Sequence, residues 1–237
     1  MNIKKTVKII GGVFIFLTLP TFLLYCFIYF KYDSPVPEGI EGPKADALAT
    51  KMLEELNYKA YDSTHYIEWS FKSRHHYQWD KKDNKCTVYW KNLKVNLDFE
   101  HPENNKAYMH NFKLIDQEKA DAIAQATKYF NNDSFWLVAP YKVFDPGTER
   151  RLVNLENGDT GLLVTYTSGG TTPGDSYLWQ FDANGKPTSF KMWTSILPIQ
   201  GLEASWTDWK ETETKAQLPT FHKLLILGID IKNLKTK

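Results

Sequence analysis

The chain has 237 residues, 42% of them hydrophobic, 15% aromatic and 24% charged, with a formal net charge of +1. That composition excludes a disordered chain, and the near-neutral balance excludes the broad basic footprint of a nucleic-acid-binding protein. Cys26 falls in an apolar run and Cys86 in the polar-patterned body, which excludes a scaffold built on disulfides.

The chain begins with its most apolar stretch. Ile9 to Phe30 reads IIGGVFIFLTLPTFLLYCFIYF and carries no charged residue. A helix needs about 20 residues to cross a hydrocarbon core of ~30 Å, so this run can span a bilayer. Pro20 would break a helix in water but is tolerated in a membrane span. A cleaved signal peptide is the main competitor, yet its apolar core is usually only about 7–15 residues and ends in small residues. Here Tyr29, Phe30, Lys31 and Tyr32 follow instead. Lipid modification at Cys26 is the other competitor, and bulky Tyr25 stands where a small residue belongs. Lys4, Lys5 and Lys8 precede the span, whereas Asp33, Glu38 and Glu41 surround or follow its end. The positive-inside rule then keeps the N-terminus cytoplasmic and sends a slightly acidic body to the periplasm or outside. The expected location is a bacterial inner membrane, spanned once by residues 9–30.

After this anchor, residues 1–31, comes a Pro/Gly-rich spacer over residues 32–43, stiffened by three prolines. The rest, residues 44–237, reads as one domain. Pro43 suits a first helical position, and Ala45, Leu48, Met52, Leu53 and Leu56 recur at three- and four-residue spacing, with Asn57 closing the helix. Near Thr64 the period changes to two. Ile67, Trp69, Phe71, Tyr77 and Trp79 are odd-numbered, with polar residues between them, so strands over about 65–73 and 75–79 carry one apolar face. Leu93, Val95, Leu97 and Phe99 alternate likewise, but out of step with Val88 and Trp90, which puts a turn or bulge at Lys91–Asn92. A second helix is expected from Gln117 to Phe130, capped by Asp116 and broken by Asn131-Asn132-Asp133-Ser134. The remainder reads as strands joined at Asp145-Pro146-Gly147, Asn157-Gly158 and Asn184-Gly185, including FWLVAPYKVF (Phe135–Phe144) and LPTFHKLLILGIDI (Leu218–Ile231). The fold class is α+β, an antiparallel meander with two helices covering one face.

The stretch SYLWQFDANGKPTSFKMW, Ser176 to Trp193, resembles the late hairpin of bacterial lipoprotein carriers and of their outer-membrane receptor relative. YFNNDSFWLVAPYKVFDPG, Tyr129 to Gly147, resembles uncharacterised bacterial proteins assigned to the same fold. The resemblance implies a strongly curved, incomplete β-barrel whose concave face holds acyl chains beneath a helical lid, without catalysis and without a cofactor. Arg74 is the nearest counterpart of the carriers' strand arginine that bonds to the lid. The anchor sets this chain apart from carriers, which are soluble shuttles.

Side chains that such a half-barrel would turn toward an apolar ligand are Ile67, Trp69, Phe71, Tyr77, Trp79, Trp90, Val95, Leu97, Phe99, Trp136, Trp179 and Trp193. Plain core packing explains the same pattern, since burying each contributes about 1.5–3 kcal/mol. An aromatic strand face is core more often than cavity, and eight tryptophans, more than a closed core usually needs, argue only mildly for a cavity. Other chemistry finds little footing. His75 and His76 are adjacent on a strand and point to opposite faces, so they cannot share one metal ion. Ser168 beside Gly169 and Gly170 lacks the spacing of a nucleophile elbow, and a turn accounts for Asp145 and Glu149 without glycosidase chemistry. Trp206, Trp209, Phe221, Leu224, Leu225, Leu227 and Ile229 form either an exposed apolar edge or a buried final strand. The expected function is a non-enzymatic, membrane-tethered domain binding a lipid or other apolar ligand. An interaction module docked on an envelope protein is the alternative.

Overall fold

The computed structural model describes residues 3–237. Helix α1 (Ile3–Tyr32) continues through Pro20, has no fully buried residue, and with a mean hydropathy of 2.2 over its most apolar 18 residues is long and apolar enough to cross a membrane. A strap, residues 33–39, leads to β1 (Ile40–Glu41) and then to α2 (Pro43–Glu55), which starts on Pro43. Asn57 takes φ 55° and turns the chain into a short helix that the periodicity concealed, α3 (Tyr58–Ser63).

A meander follows: β2 (Tyr66–Phe71), β3 (His75–Asp80), β4 (Lys85–Trp90), β5 (Leu93–Asp98), β6 (Lys106–Met109) and β7 (Phe112–Lys113). Helix α4 (Asp116–Val138) then crosses the inner face, and a 3-10 turn covers Ala139–Lys142. The second meander comprises β8 (Thr148–Asn154), β9 (Thr160–Tyr166), β10 (Ser176–Phe181), β11 (Pro187–Trp193), β12 (Leu202–Ser205), β13 (Thr207–Glu211), β14 (Gln217–Leu224) and β15 (Leu227–Thr236). All pairings are antiparallel. The 15 strands form one open sheet, β1-β8-β9-β10-β11-β12-β14-β15-β2-β3-β4-β5-β6-β7, with β13 off the path beside β14. β15 joins the halves, because Leu227–Asp230 pair with β14 while Ile231–Thr236 pair with β2.

The odd-numbered apolar face is present and inward. Ile67 lies opposite Trp79, and Trp69 opposite Tyr77 at a ring-centroid distance of 4.5 Å. The parity change at Lys91–Asn92 is a turn, with Trp90 opposite Leu93 and Lys91 at φ 51°.

Three expectations need correction. The segment Asn131–Ser134 does not end α4, which runs on to Val138 because Asp133, Ser134, Leu137 and Val138 are all buried. Tertiary burial outweighs the weak helix propensity of Asn, Asp and Ser here. Phe135–Phe144 is accordingly helix and 3-10 turn, not strand. Asp116 opens the helix at φ 47° and makes no cap hydrogen bond.

The stiff spacer packs against the sheet. Gly39 lies so close to β8 that an added Cβ would meet the Arg151 Cβ at 2.7 Å, and Ile40 and Glu41 pair with Leu152 and Arg151. The strap lies on the outer sheet face, where Val153, Leu163, Leu178 and Trp193 form a small cluster of their own.

Candidate functional site

Helix α4 is fastened to the first meander by a buried polar link and an aromatic one. Asp133, 1% exposed, accepts hydrogen bonds at Oδ2 from the Tyr77 hydroxyl at 2.6 Å and from His75 Nδ1 at 2.7 Å. Asn132 Nδ2 donates to its other oxygen at 2.8 Å. Burial, with the Asp133 carboxylate as the next cause, raises the Tyr77 pKa and keeps the phenol a donor. One turn earlier, the Phe130 ring sits 5.3 Å from Trp79 and 4.8 Å from Phe99. His75 also stacks on Tyr129 at 3.9 Å.

Toward the second meander the helix stands off the sheet and leaves a cleft of about 620 Å³. That lies within the roughly 300–1,000 Å³ of small-molecule sites. Trp79, Phe99 and Phe130 line one part, Phe135 and Trp136 the helix side, and Tyr166, Tyr177, Phe190 and Met192 the sheet side. The rings touch in series: Phe135–Tyr177 at 4.6 Å, Tyr177–Phe190 at 5.2 Å and Trp136–Phe190 at 5.5 Å. Burial raises the pKa values of Tyr166 and Tyr177, so both are neutral phenols. Behind Trp136, His222 is fully buried and pushed down to about 4 by that burial, so it too is neutral near pH 7. The aromatic floor is therefore uncharged. Charge enters the lining at the buried Asp175, which accepts from the Tyr177 hydroxyl at 3.4 Å, and at the rim, where Lys142 Nζ and Asp145 form a partly exposed pair at 2.8 Å.

The loops at one end of the cleft are tied by Asp175, 5% exposed. Its carboxylate accepts from Thr172 Oγ1 and Thr194 Oγ1, both at 2.5 Å, and from the Ser195 amide at 3.1 Å. Ser168, Gly169, Gly170, Thr171 and Thr172 from one loop thus face Ile196 and Leu197 from the next, with Leu224 beside them. These polar contacts hold a glycine-rich segment that has no strand of its own.

The twelve side chains singled out in the sequence divide into three groups. Trp79, Phe99 and Trp136 line the cleft. Ile67, Trp69, Phe71, Tyr77, Trp90, Val95, Leu97 and Trp179 are buried in the main core and do not border it; Leu97 touches a second, more polar cavity of about 520 Å³. Trp193 faces the opposite way. Its register partner is Ser176, while Trp179 pairs with Phe190, so Trp193 lies on the outer face beneath the strap. Arg74 is exposed in the β2–β3 turn, and among the described residues its side chain makes no hydrogen bond or ion pair. The strand-to-helix bond implied for it is made by His75 and Tyr77.

No family model and no curated protein matches the chain. Among solved structures, the crystal structure of a DUF1329 family protein from Desulfovibrio piger aligns over 81% of this chain and 93% of its own, with 8% identity and a TM-score of 0.41. None of these comparisons places the chain among the lipoprotein carriers.

Sequence reasoning missed Phe130, Phe135, Tyr166, Tyr177 and Phe190 as lining residues. The register of the Ser176–Trp193 hairpin held the signal, because Tyr177, Trp179 and Phe190 share one face. One further polar arrangement lies on the outer face. Ser70 Oγ is 2.9 Å from His76 Nδ1, and His76 Nε2 is 3.4 Å from Glu68 Oε1. Ser70 Oγ also accepts from Asn233 Nδ2 at 3.1 Å, and Ser70 borders neither cavity. Among the described residues no group of three or more His, Cys, Asp or Glu side chains could hold a metal ion.

Proposed function

We propose that this protein is a membrane-tethered, non-enzymatic binding domain for a lipid or other apolar ligand, with its body on the periplasmic or outer side of a bacterial inner membrane. The cleft carries the reading: about 620 Å³ between α4 and the sheet, floored by neutral aromatic rings and rimmed by polar loops. Apolar walls with a few polar groups at the edge suit an amphiphile with one acyl chain, whose head stays near Thr171, Thr172 and the Lys142–Asp145 pair. The orientation rests on Lys4, Lys5 and Lys8 before the span. The test is native mass spectrometry of the full chain released from detergent after incubation with palmitate and a lysophospholipid. A one-to-one adduct that disappears in Leu197→Trp, which fills the cleft, supports the proposal. A chain that carries no adduct with either compound refutes it.

The Ser70–His76–Glu68 series favours a second reading, a hydrolase whose nucleophile is Ser70, 8% exposed on the outer face. Covalent labelling of Ser70 by a fluorophosphonate probe, abolished in His76→Ala, would establish it.

A further inference from the structure

We propose that the cleft opens onto the very membrane that holds α1, with the β14–β15 tip and Ile196 seated among the lipids, so that the ligand enters from that leaflet without passing through water. What enters rests on the lipid-binding reading; the orientation rests on separate contacts.

The anchor leaves no slack. Immediately after α1, the Asp33 carboxylate accepts from the Gln200 amide at 2.9 Å, and the Ser34 amide donates to the Gln200 carbonyl at 3.2 Å. Trp193 Nε1 donates to the Ser34 carbonyl at 2.7 Å. Gly201, at φ 76°, packs so tightly beneath this exit that an added Cβ would lie 2.1 Å from Ser34 Oγ. Ile28 and Tyr32 pack against the core of the body. Ile28 is inside the apolar run, about 4–5 Å below Lys31 along the helix axis, so the body reaches the edge of the hydrocarbon. The loop holding Ile196, Leu197 and Gln200 therefore lies in the headgroup layer, which adds roughly 5–8 Å per side to the hydrocarbon core.

That loop and the β14–β15 tip share one end of the sheet. Ala204 pairs with Leu224, and Leu224 with Leu227, so Leu225 and Ile226 come level with Glu203 and Leu202 at the start of β12, beside the loop in which Gly201 bonds back to Met192. Ile196, Leu197 and Leu224 also line the cleft, so the anchored end is the open end. The tip suits lipid better than water. Hairpin turns in water favour Asn and Gly, yet Leu225 takes φ 54° here, and Ile226 is 92%, Leu227 56% and Ile196 65% exposed.

The experiment uses the full chain in phospholipid nanodiscs, with Cys26→Ala so that a single new cysteine takes an NBD label; Cys86 is buried. With Ile226→Cys, lipids spin-labelled near the headgroup should remove about half the emission, as expected for a probe at the hydrocarbon edge, and iodide should remove little. A label at Asn184→Cys, in the turn at the far end of β10, should respond to iodide alone. Adding Gly201→Val should weaken the lipid quenching at position 226. The proposal is overturned if position 226 matches position 184, quenched by iodide and untouched by the labelled lipid. Loss of the palmitate adduct with this quenching intact would count against the binding reading and not against the orientation.

Discussion

Asp133→Ala removes the one carboxylate that, among the described residues, joins α4 to the first meander. The side chain is 2% exposed and accepts from Tyr77, His75 and Asn132. His75 is 16% exposed and can turn to water, and Asn132 is exposed, so neither is stranded. The Tyr77 hydroxyl is different: the residue is fully buried and, among the described residues, this is the hydroxyl's only hydrogen bond. An orphaned buried donor costs about 1–3 kcal/mol, and losing the charge-assisted bonds adds a similar amount, so Asp133→Ala should destabilise by about 3 kcal/mol. Tyr77→Phe removes only the donor and should cost about 1 kcal/mol. Once the hydroxyl is gone, removing the carboxylate strands nothing, so the double variant should be no worse than Asp133→Ala alone, a coupling of about 1–2 kcal/mol. Urea unfolding of the full chain in micelles, followed by near-UV circular dichroism at constant m, measures all four corners of the cycle. Strictly additive single effects, or an Asp133→Ala loss under about 0.5 kcal/mol, would refute this account of how the helix is held.

Two other perturbations have signed outcomes. His222 is buried and its pKa is lowered to about 4 from an ordinary 6.5, so the unfolded chain takes up a proton that the folded chain refuses. Stability should fall as pH drops from 6.5 toward 4 and level off below, by about 3 kcal/mol for a shift of this size. His222→Leu should flatten the curve between pH 6.5 and 4.5, before the lowered carboxyl pKa values of Glu68, Asp98 and Glu213 begin to contribute. Asp175→Ala should free both loops it ties, so limited proteolysis should cut within residues 168–174 and 195–198 well before the wild type, while Asp175→Asn stays near wild-type rates.

The sequence disclosed the sheet better than the cleft. Alternation at Ile67, Trp69, Tyr77 and Trp79 correctly gave an inward aromatic face, because strand parity is set by the backbone and needs no tertiary information. The turns at Asn157-Gly158 and Asn184-Gly185 were legible from local chemistry, as Asp182 Oδ1 accepting from the amides of Asn184, Gly185 and Lys186 illustrates. The turn at Leu225–Ile226 was not, since an unbroken apolar run with no Asn or Gly at the bend reads as one strand. Which aromatic rings pack and which face space was equally hidden. Trp69 and Trp79 stand on the same face of one hairpin, yet only Trp79 borders the cleft, since that depends on where α4 crosses. The length of α4 depended in turn on a bond between Asp133 and a strand more than fifty positions earlier.

The most direct measurement is photo-crosslinking of a diazirine-bearing palmitate to the full chain in nanodiscs, with the modified residues mapped by peptide mass spectrometry. The account predicts label on the α4 segment that holds Phe130, Phe135 and Trp136, on Phe190 and Met192 of the sheet, and on Ile196 and Leu197 of the following loop. Label confined to α1, or scattered along the exposed β6–β7 edge at Met109 and Phe112, would contradict it.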